Sequence, residues 1–468
     1  MKRFCFLLIT SLAQWCAWAQ FVTPGNGNTY TLQKLTTIAE SGVESEECDG
    51  PREEQNTCYR LTQSVTIARG DRFVLDEDAS IVEFASGTEL TIEGEASFEA
   101  DVETVFNATY QGGTPKGVFL NAPTGAVKFC NITFRQVGLR VSETTLLEIS
   151  HCNFFNHNGS AAAALYFVLG TTQAKVNSCR FEACQRAAIG SSVTASALIA
   201  CDSCTLYQNS AQNQNVPQIN LSASPSIAIT NCTVAGNPAN NLVGGIGISN
   251  FTATTDTDIR IEGCTIADNR YGIGTVGPVN IVIFNNQLLN NRYETNPMNG
   301  GSGVSLYDPY AQTCARLTGN TIEGSLWGVT IIGCKEVNLG RTEVPTDDEA
   351  YNPGGNIFKD NGNGGVLYDL YNNSTITVYA QGNTWNVEQQ TSNYIEGVIT
   401  HKHDNASLGE VIFWPAAGEV NSISNTRYGT TVLNNSGVCF DLLGRKRTVS
   451  QSGNKGIGIV NGKKILIR

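Results

Sequence analysis

Two arginine–tyrosine pairs are the side chains whose types and spacing best suit chemistry. Arg270-Tyr271 lies in the phrase "DNRYGI", and Arg292-Tyr293 lies in the similar phrase "NNRYET". A guanidinium group forms paired hydrogen bonds with a carboxylate, and an aromatic ring packs against the face of a sugar. We therefore interpret all four residues as candidate binding residues for an anionic sugar chain. They are also the candidate catalytic residues, because elimination from a uronate needs an arginine, lysine or tyrosine as its base.

Candidate metal ligands are weaker signals. Three aspartates near the first pair offer the oxygen ligands that calcium prefers, so calcium is a candidate cofactor. These aspartates are Asp256, Asp258 and Asp268. The motif "THKHD" supplies His401, His403 and Asp404. We interpret this motif as charged shielding of the last strand edge rather than as a metal site, and we predict no dedicated metal centre.

The elements that would position these residues are repeated along the chain. A short phrase recurs at intervals of 22 to 36 residues, and one slot of the phrase holds first cysteine and then asparagine. The slot residues are Cys130, Cys152, Cys179, Cys204, Cys232, Cys264, Asn286, Asn320, Asn356 and Asn383. Asparagine recurs five residues later at Asn209, Asn237, Asn269, Asn291 and Asn361. A unit of this length cannot bury its apolar residues alone and must stack on copies of itself.

Stacking predicts that equivalent residues form columns. Cysteine suits such a column because it is small and tolerates burial, and parallel strand spacing is poorly suited to a disulfide. Asparagine in the same slot would pass amide hydrogen bonds from coil to coil. The same alignment places Arg270 on Arg292 and Tyr271 on Tyr293. The alternative to a binding role is that these four side chains cover outward corners of neighbouring coils.

The recurrent phrase N-x-[hydrophobic]-x-x-N, followed by pairs such as Gly272-Ile273, resembles the right-handed parallel β-helix proteins of the pectin-lyase-like superfamily. The resemblance covers residues 63–415 and implies an all-β, single-stranded solenoid with entry coils and a C-terminal cap. The phrases of pectin-type hydrolases, N-T-D, D-D, G-H-G and R-I-K, do not occur as a set. This scaffold carries lyases, epimerases, adhesins and tailspikes, so the fold alone does not determine the function.

The two ends of the chain carry targeting signals. Residues 1–19 combine Lys2 and Arg3, a short apolar run and an A-x-A cleavage site, which indicates a signal peptide. Residues 434–468, after a linker at 416–433, resemble the C-terminal sorting domain of the type IX secretion route of Bacteroidetes. The matching residues are Asp441 to Arg445 and Lys455 to Lys464. The resemblance implies the type IX secretion machinery as a partner and a secreted or outer-membrane cell-surface location.

The net charge and the cysteines give further predictions about binding partners and about a disulfide. The net charge is −12, and the part between the two basic ends is more acidic still, which disfavours nucleic acid and anionic membranes. No later apolar run reaches transmembrane length. In the N-terminal segment 20–62, Cys48 and Cys58 bracket an acidic loop of an exported protein, and we predict a disulfide between them.

We therefore predict a monomeric β-helix that acts as a glycan-binding, adhesion or structural module on a polysaccharide or surface glycan. The alternative is a polysaccharide lyase, or a related carbohydrate-active enzyme, that acts on an acidic polysaccharide through the arginine–tyrosine pairs.

Overall fold

The computed structural model describes residues 20–49, 56–108, 114–252, 254, 256–294 and 296–418, and the backbone of four short strands after residue 438. The predicted signal peptide and residues 419–433 of the predicted linker lie outside the described residues. The chain divides into two compact units, 1–418 and 419–468.

The first unit is a parallel β-helix whose coils contribute strands to three ladders. Sheet 1 consists of Gln20–Val22, Ser64–Ile67, Glu89–Ile92, Gly117–Asn121, Gly138–Ser142, Ala163–Asn177, Ala187–Ser191, Ile219–Ser222, Ile246–Ser249, Ile273–Val276, Ser302–Tyr307, Trp327–Ile332, Leu370–Asn372 and Ile399–Thr400. Sheet 2 consists of Thr29–Tyr30, Arg72–Val74, Glu95–Ala108, Val127–Arg135, Leu147–Ser150, the end of Ala163–Asn177, Ala195–Asp202, Ile227–Thr230, Ile259–Glu262, Asn280–Phe284, Cys314–Thr318, Glu336–Gly340, Val378–Ala380 and Val411–Ile412. Sheet 3 consists of Val43–Glu47, Thr57–Leu61, Ala79–Phe84, the ends of Glu95–Ala108 and Val127–Arg135, Asn153–Phe155, Arg180–Glu182, Thr205–Tyr207, Thr233–Ala235, Thr265–Ala267, Gln287–Leu289, Thr321–Glu323 and Ile357–Lys359.

Short elements complete this unit. They are the helices Leu32–Thr36 and Ser392–Glu396 and the antiparallel strands Gly362–Asn363 and Val366–Leu367. The first helix begins after Thr31, whose side chain accepts a hydrogen bond from the backbone N–H of Lys34, and it buries Leu32 and Leu35 against the core.

The core follows from alternation of residues along each strand. In Ile259–Glu262 the two isoleucines are buried, while Arg260 is exposed and Glu262 is half-buried. Equivalent core residues then stack coil on coil: the rings of Phe134, Phe154 and Phe181 lie nearly parallel with centroids 4.6 Å apart. This spacing is the separation of neighbouring strands, so the core is a set of columns rather than one central cluster.

The stacking begins earlier than the sequence analysis placed it. Gln20–Val22 pairs in parallel with Ser64–Ile67, so residues 20–62 contribute to the coils. This segment lacks the repeated phrase because a helix and a loop interrupt it, and the sequence pattern therefore missed it. Cys48 and Cys58 form a disulfide with Cα atoms 5.8 Å apart. Cys48 directly follows the strand Val43–Glu47, and Cys58 lies in its antiparallel partner Thr57–Leu61.

A left-handed residue turns the chain from sheet 2 into sheet 3 in each repeated coil. Asn231 has φ 53° and Gly263 has φ 63°, and each directly precedes a slot residue. Asparagine and glycine tolerate this conformation better than other residues. The side chain of the following slot residue then lies inside the coil, where Cys232, Cys264 and Asn286 are buried.

The asparagine part of this column is the predicted amide ladder. The side-chain amide of Asn286 donates to Oδ1 of Asn320, that of Asn320 donates to Asn356, and that of Asn356 donates to Asn383, over distances of 2.9 to 3.0 Å. The second amide hydrogen of Asn320 reaches the carbonyl of Ile283. These contacts confirm the ladder and satisfy amides that are fully buried.

The cysteine part of the column needs one correction. Thr133 pairs with Asn153 and Cys130 pairs with Ser150, so Ile132 and not Cys130 stacks on Cys152. A shift of two residues keeps the same face of a strand buried, so the apolar pattern could not reveal the error. The left-handed Asn131, directly before Ile132, is the signal that fixes the register.

The second unit contains a four-stranded antiparallel sheet. Its strands are Cys439–Phe440, Lys446–Arg447, Gly456–Val460 and Lys463–Ile467. They fall within the segment that resembles a sorting domain, and that interpretation stays a prediction.

Asn320→Ala tests the ladder. We expect it to lower the free energy of unfolding by about 2–4 kcal/mol, because it leaves a cavity and removes the partner of the buried amide of Asn286. Chemical unfolding followed by circular dichroism measures the change. Asn177→Ala, at an exposed strand position, is the control and should change stability little; equal losses in the two variants would contradict the ladder's role.

Asp369 gives the fold a pH dependence. This carboxyl group is fully buried, and burial raises its pKa to about 6 although it accepts hydrogen bonds from Asn386 and Asn361. The folded protein therefore holds a proton between pH 4 and 6 that the unfolded chain releases, and stability falls as pH rises through this window.

Asp369→Asn should remove this loss. We expect the variant to be more stable than the wild type above pH 6, by about 1–3 kcal/mol, and the difference to shrink toward pH 4. Unfolding midpoints measured across this range provide the test. A variant that is less stable at pH 7.5 would show that the ionised carboxylate stabilises the fold.

Candidate functional site

A groove on the outer face of sheet 1 has a volume of about 520 Å³. Strand register aligns one row of outward residues along it: Asn220, Gly247, Gly274, Ser305, Thr330 and Tyr371. The residues beside them in sequence, such as Ile246 and Ile273, are buried in the core. Small residues in the middle of the row therefore leave space above the sheet. The ring of Tyr271 fills part of this space over Gly247 and Gly274, and the groove continues across the following coils.

Aromatic side chains line one end of this groove. The ring centroids of Trp327 and Tyr371 lie 5.6 Å apart at an angle of 28° between the rings, and that of Tyr368 lies 4.6 Å from Trp327. The indole N–H of Trp327 donates to the carbonyl of Pro297 over 2.8 Å, which fixes the ring orientation. Tyr307 adds a ring that is 41% exposed. The repeated phrase gave no indication of this group.

Tyr271 lies at the other end, over a row of glycines. A Cβ atom at Gly244 would lie 2.2 Å from its ring, and one at Gly274 would lie 2.9 Å away, so only glycine leaves room for it. Its hydroxyl group has no hydrogen-bond partner among the described residues. Burial raises the pKa of Tyr271 to about 12. The phenol therefore keeps its proton at neutral pH and is suited to donate a hydrogen bond rather than to act as a base.

Arg270 is held on several sides. Its Nε lies 3.2 Å from Oε2 of Glu294, and both side chains are largely buried. Its other nitrogens donate to the side chain of Asn215 and to the backbone carbonyl of Asn299. The guanidinium thus ties the loop 292–301 to a neighbouring coil. Among the described residues that line the groove, it is the only charged side chain.

The second arginine–tyrosine pair does not stack on the first, contrary to the sequence alignment. The backbone partner of Arg270 in the next coil is Gly301, and Ile273 pairs with Val304. The ten residues between Asn291 and Ser302 replace the single residue Arg270 between Asn269 and Tyr271, so the register resumes only after a loop. Arg292 is exposed there and Tyr293 faces Asp268, with its hydroxyl 3.4 Å from Oδ1. Neither residue lines the groove.

The candidate metal ligands occupy different settings. Asp256, Asp258 and Asp268 do not form a cluster of ligands within the described part of the chain. His401 lies close to Glu396 and Asp404, but both of its ring nitrogens are occupied: Nδ1 accepts from the backbone of Val411 and Nε2 meets Glu396 at 2.7 Å. This group therefore fastens the last coil.

Three thiols converge in the core, although the sequence analysis expected stacked rather than convergent cysteines. Sulfur atoms of Cys201, Cys204 and Cys232 lie within 4.8 Å of one another. They converge because Cys201 points inward from the strand that precedes the column. Hydrogen bonding with Cys204 and Cys232, together with burial, raises the pKa of Cys201 well above its ordinary value. The three buried thiols fill the interior as small, largely apolar groups.

The protein resembles known proteins in its fold. A family model described as "Right handed beta helix region" matches residues 167–338, and with the parallel coils it confirms the predicted all-β, right-handed β-helix. A crystal structure of the periplasmic alginate epimerase AlgG aligns over 83% of each chain, with 10% identity and a TM-score of 0.44. A double mutant of that epimerase aligns over 84% of each chain, with 12% identity and a TM-score of 0.40. No curated protein matches in sequence.

Within the described residues, no helix has the length and apolar character that crossing a bilayer requires.

Arg270→Met tests how the loop is held. Without the guanidinium, the carbonyl of Asn299 and the buried carboxylate of Glu294 lose their partner, so we expect backbone amides of residues 296–301 to exchange about tenfold faster or more. Hydrogen exchange followed by mass spectrometry measures this. Arg292→Met, which alters an exposed arginine of the same loop, should leave the exchange unchanged. Similar exchange in both variants would mean that Arg270 does not hold the loop.

Proposed function

We propose that the groove on sheet 1 binds a glycan chain and that the protein acts as a glycan-binding or adhesion module. The observation that carries this proposal is the aromatic platform of Trp327 and Tyr371 at the end of a channel lined by small polar residues. A pyranose ring has an apolar face that stacks on aromatic rings and hydroxyl groups that need polar partners at its edges.

The polar partners are of the right kind. Asn220, Ser249, Ser305, Thr330 and Asn373 supply amide and hydroxyl groups along the channel. Because they come from successive coils, their spacing follows the strand separation of about 4.8 Å. A polymer lying along the channel can therefore contact several coils in turn.

Binding without turnover has more support than catalysis. An elimination needs a base, and hydrolysis of a glycosidic bond needs a pair of carboxyl groups. The described lining of the groove contains no aspartate, glutamate, histidine or lysine. Of the residue types that can act as the base in an elimination, the lining contains Arg270, Tyr271, Tyr307 and Tyr371. Burial raises the pKa of Tyr271 to about 12, which makes it a less accessible base than an ordinary tyrosine.

The proposed function also includes export of the protein from the cytoplasm. The signal-like residues 1–19 and the sorting-domain resemblance of residues 434–468 support secretion or display on the outer membrane, with the β-helix as the functional part. In that setting the groove would meet surface or environmental polysaccharide.

Trp327→Ala tests the proposed function. Loss of one side of the aromatic platform should weaken glycan binding by about tenfold or more, since such stacking contributes roughly 1–2 kcal/mol. A glycan array followed by calorimetry on the strongest ligand measures the change. Tyr207→Ala, which removes an exposed aromatic residue from sheet 3, should bind as the wild type does.

Two outcomes would contradict the proposal. Equal weakening by the Tyr207 variant would show that the groove is not the binding site. Steady formation of unsaturated products from uronate polymers by the wild type would favour the lyase alternative instead.

A further inference from the structure

We infer that Glu294 makes the groove selective for uncharged glycan chains, because its carboxylate neutralises Arg270. This inference rests on the proposed glycan-binding function and adds the chemical class of the ligand. It differs from the expectation drawn from the sequence, in which two free arginines would bind the acid groups of an anionic polymer.

The charges of Arg270 and Glu294 lie close together and are shielded from water. Nε of Arg270 and Oε2 of Glu294 are 3.2 Å apart, and their side chains are 12% and 6% exposed. The carboxylate of Glu294 also accepts a hydrogen bond from the backbone N–H of Asn296 over 3.1 Å. Charges this close and this shielded from water interact strongly with each other and leave little net field in the groove.

A ligand carboxylate would also have to compete with protein groups for the guanidinium of Arg270. Its remaining nitrogens already donate to the side chain of Asn215 and the carbonyl of Asn299. A uronate could form a paired contact with Arg270 only by displacing these partners. It would then lie near the carboxylate of Glu294, and like charges at short distance repel.

Around the ion pair of Arg270 and Glu294, the described lining of the groove contains no second cation that could balance the charge of an acidic ligand. The chain carries a net charge of −12, so the long-range field also opposes polyanions. What remains for recognition is the aromatic platform and the neutral polar groups, which suit a neutral hexose or pentose polymer.

Arg270 has a structural role beside the groove. It holds the loop 292–301, and the same loop supplies the carbonyl of Pro297 that orients Trp327. Arg270 is therefore a positioning residue for the platform, and Glu294 determines the charge of the ligand that the groove accepts.

Calorimetry with matched hexasaccharides tests the inference. The neutral probes are the hexamers of cellulose, xylan, mannan and laminarin, and the charged probes are hexagalacturonate and hexamannuronate. We expect the wild type to bind at least one neutral hexamer at least tenfold more tightly than either uronate, in a manner that Trp327→Ala abolishes. Binding of the neutral hexamer should be insensitive to salt.

Glu294→Gln is the decisive variant, because it keeps the shape of the side chain and frees the charge of Arg270. We expect it to bind the uronate hexamers about tenfold more tightly than the wild type at low salt, with the gain lost at high salt. Its affinity for the neutral hexamer should change less than threefold. Glu148→Gln, which removes an equal charge from an ion pair with Lys175 on sheet 2, is the matched control and should give no gain.

The outcomes separate the inference from the proposed function. Uronate binding by the wild type that equals or exceeds neutral binding would overturn the inference while leaving a glycan-binding groove intact. An equal gain in the Glu148 variant would overturn it too, since total charge would then explain the effect. If no hexamer binds in a manner that depends on Trp327, the proposed function itself fails. The wild-type comparison needs no variant to fold.

Discussion

The vertical stacking of one coil on the next is the constraint on which the rest of the structure depends. Each coil must return to its starting point one strand separation higher, so its corners have to turn by the same amount every time. A left-handed residue at the corner between sheets 2 and 3, such as Asn231 or Gly263, provides that turn. The buried amide column from Asn286 to Asn383 then joins neighbouring coils through side chains as well as backbone. Without this regularity, neither the core columns nor the groove would exist.

Much of the fold could be predicted from the sequence because the repeated units can be aligned with one another. The slot residues from Cys152 onward and the amide ladder follow directly from that repeat. Cys130 was misaligned because a two-residue shift leaves the alternation of buried and exposed residues unchanged. The first coil was missed because the helix Leu32–Thr36 and the loop closed by Cys48 and Cys58 hide its strands.

The candidate site was predictable only in part. Arg270 and Tyr271 line the groove together with residues of other coils, and a binding role for this pair stays a prediction. Trp327 and Tyr371 are 44 residues apart in sequence and meet only because sheet register brings Thr330 beside Tyr371. Glu294 lies in an insertion that matches no other coil. A periodic pattern describes what all coils share, whereas the groove depends on what individual coils do differently.

The loop 292–301 leaves the solenoid after Asn291 and rejoins it at Ser302, where the register of sheet 1 resumes. Its length is therefore independent of the ladder that stabilises the coils on either side. Such an insertion behaves as an exchangeable module: replacing it would re-specify what the groove recognises while the scaffold stays constant. Engineering of new recognition on this protein is best directed to that segment, by loop grafting rather than by redesign of the coils.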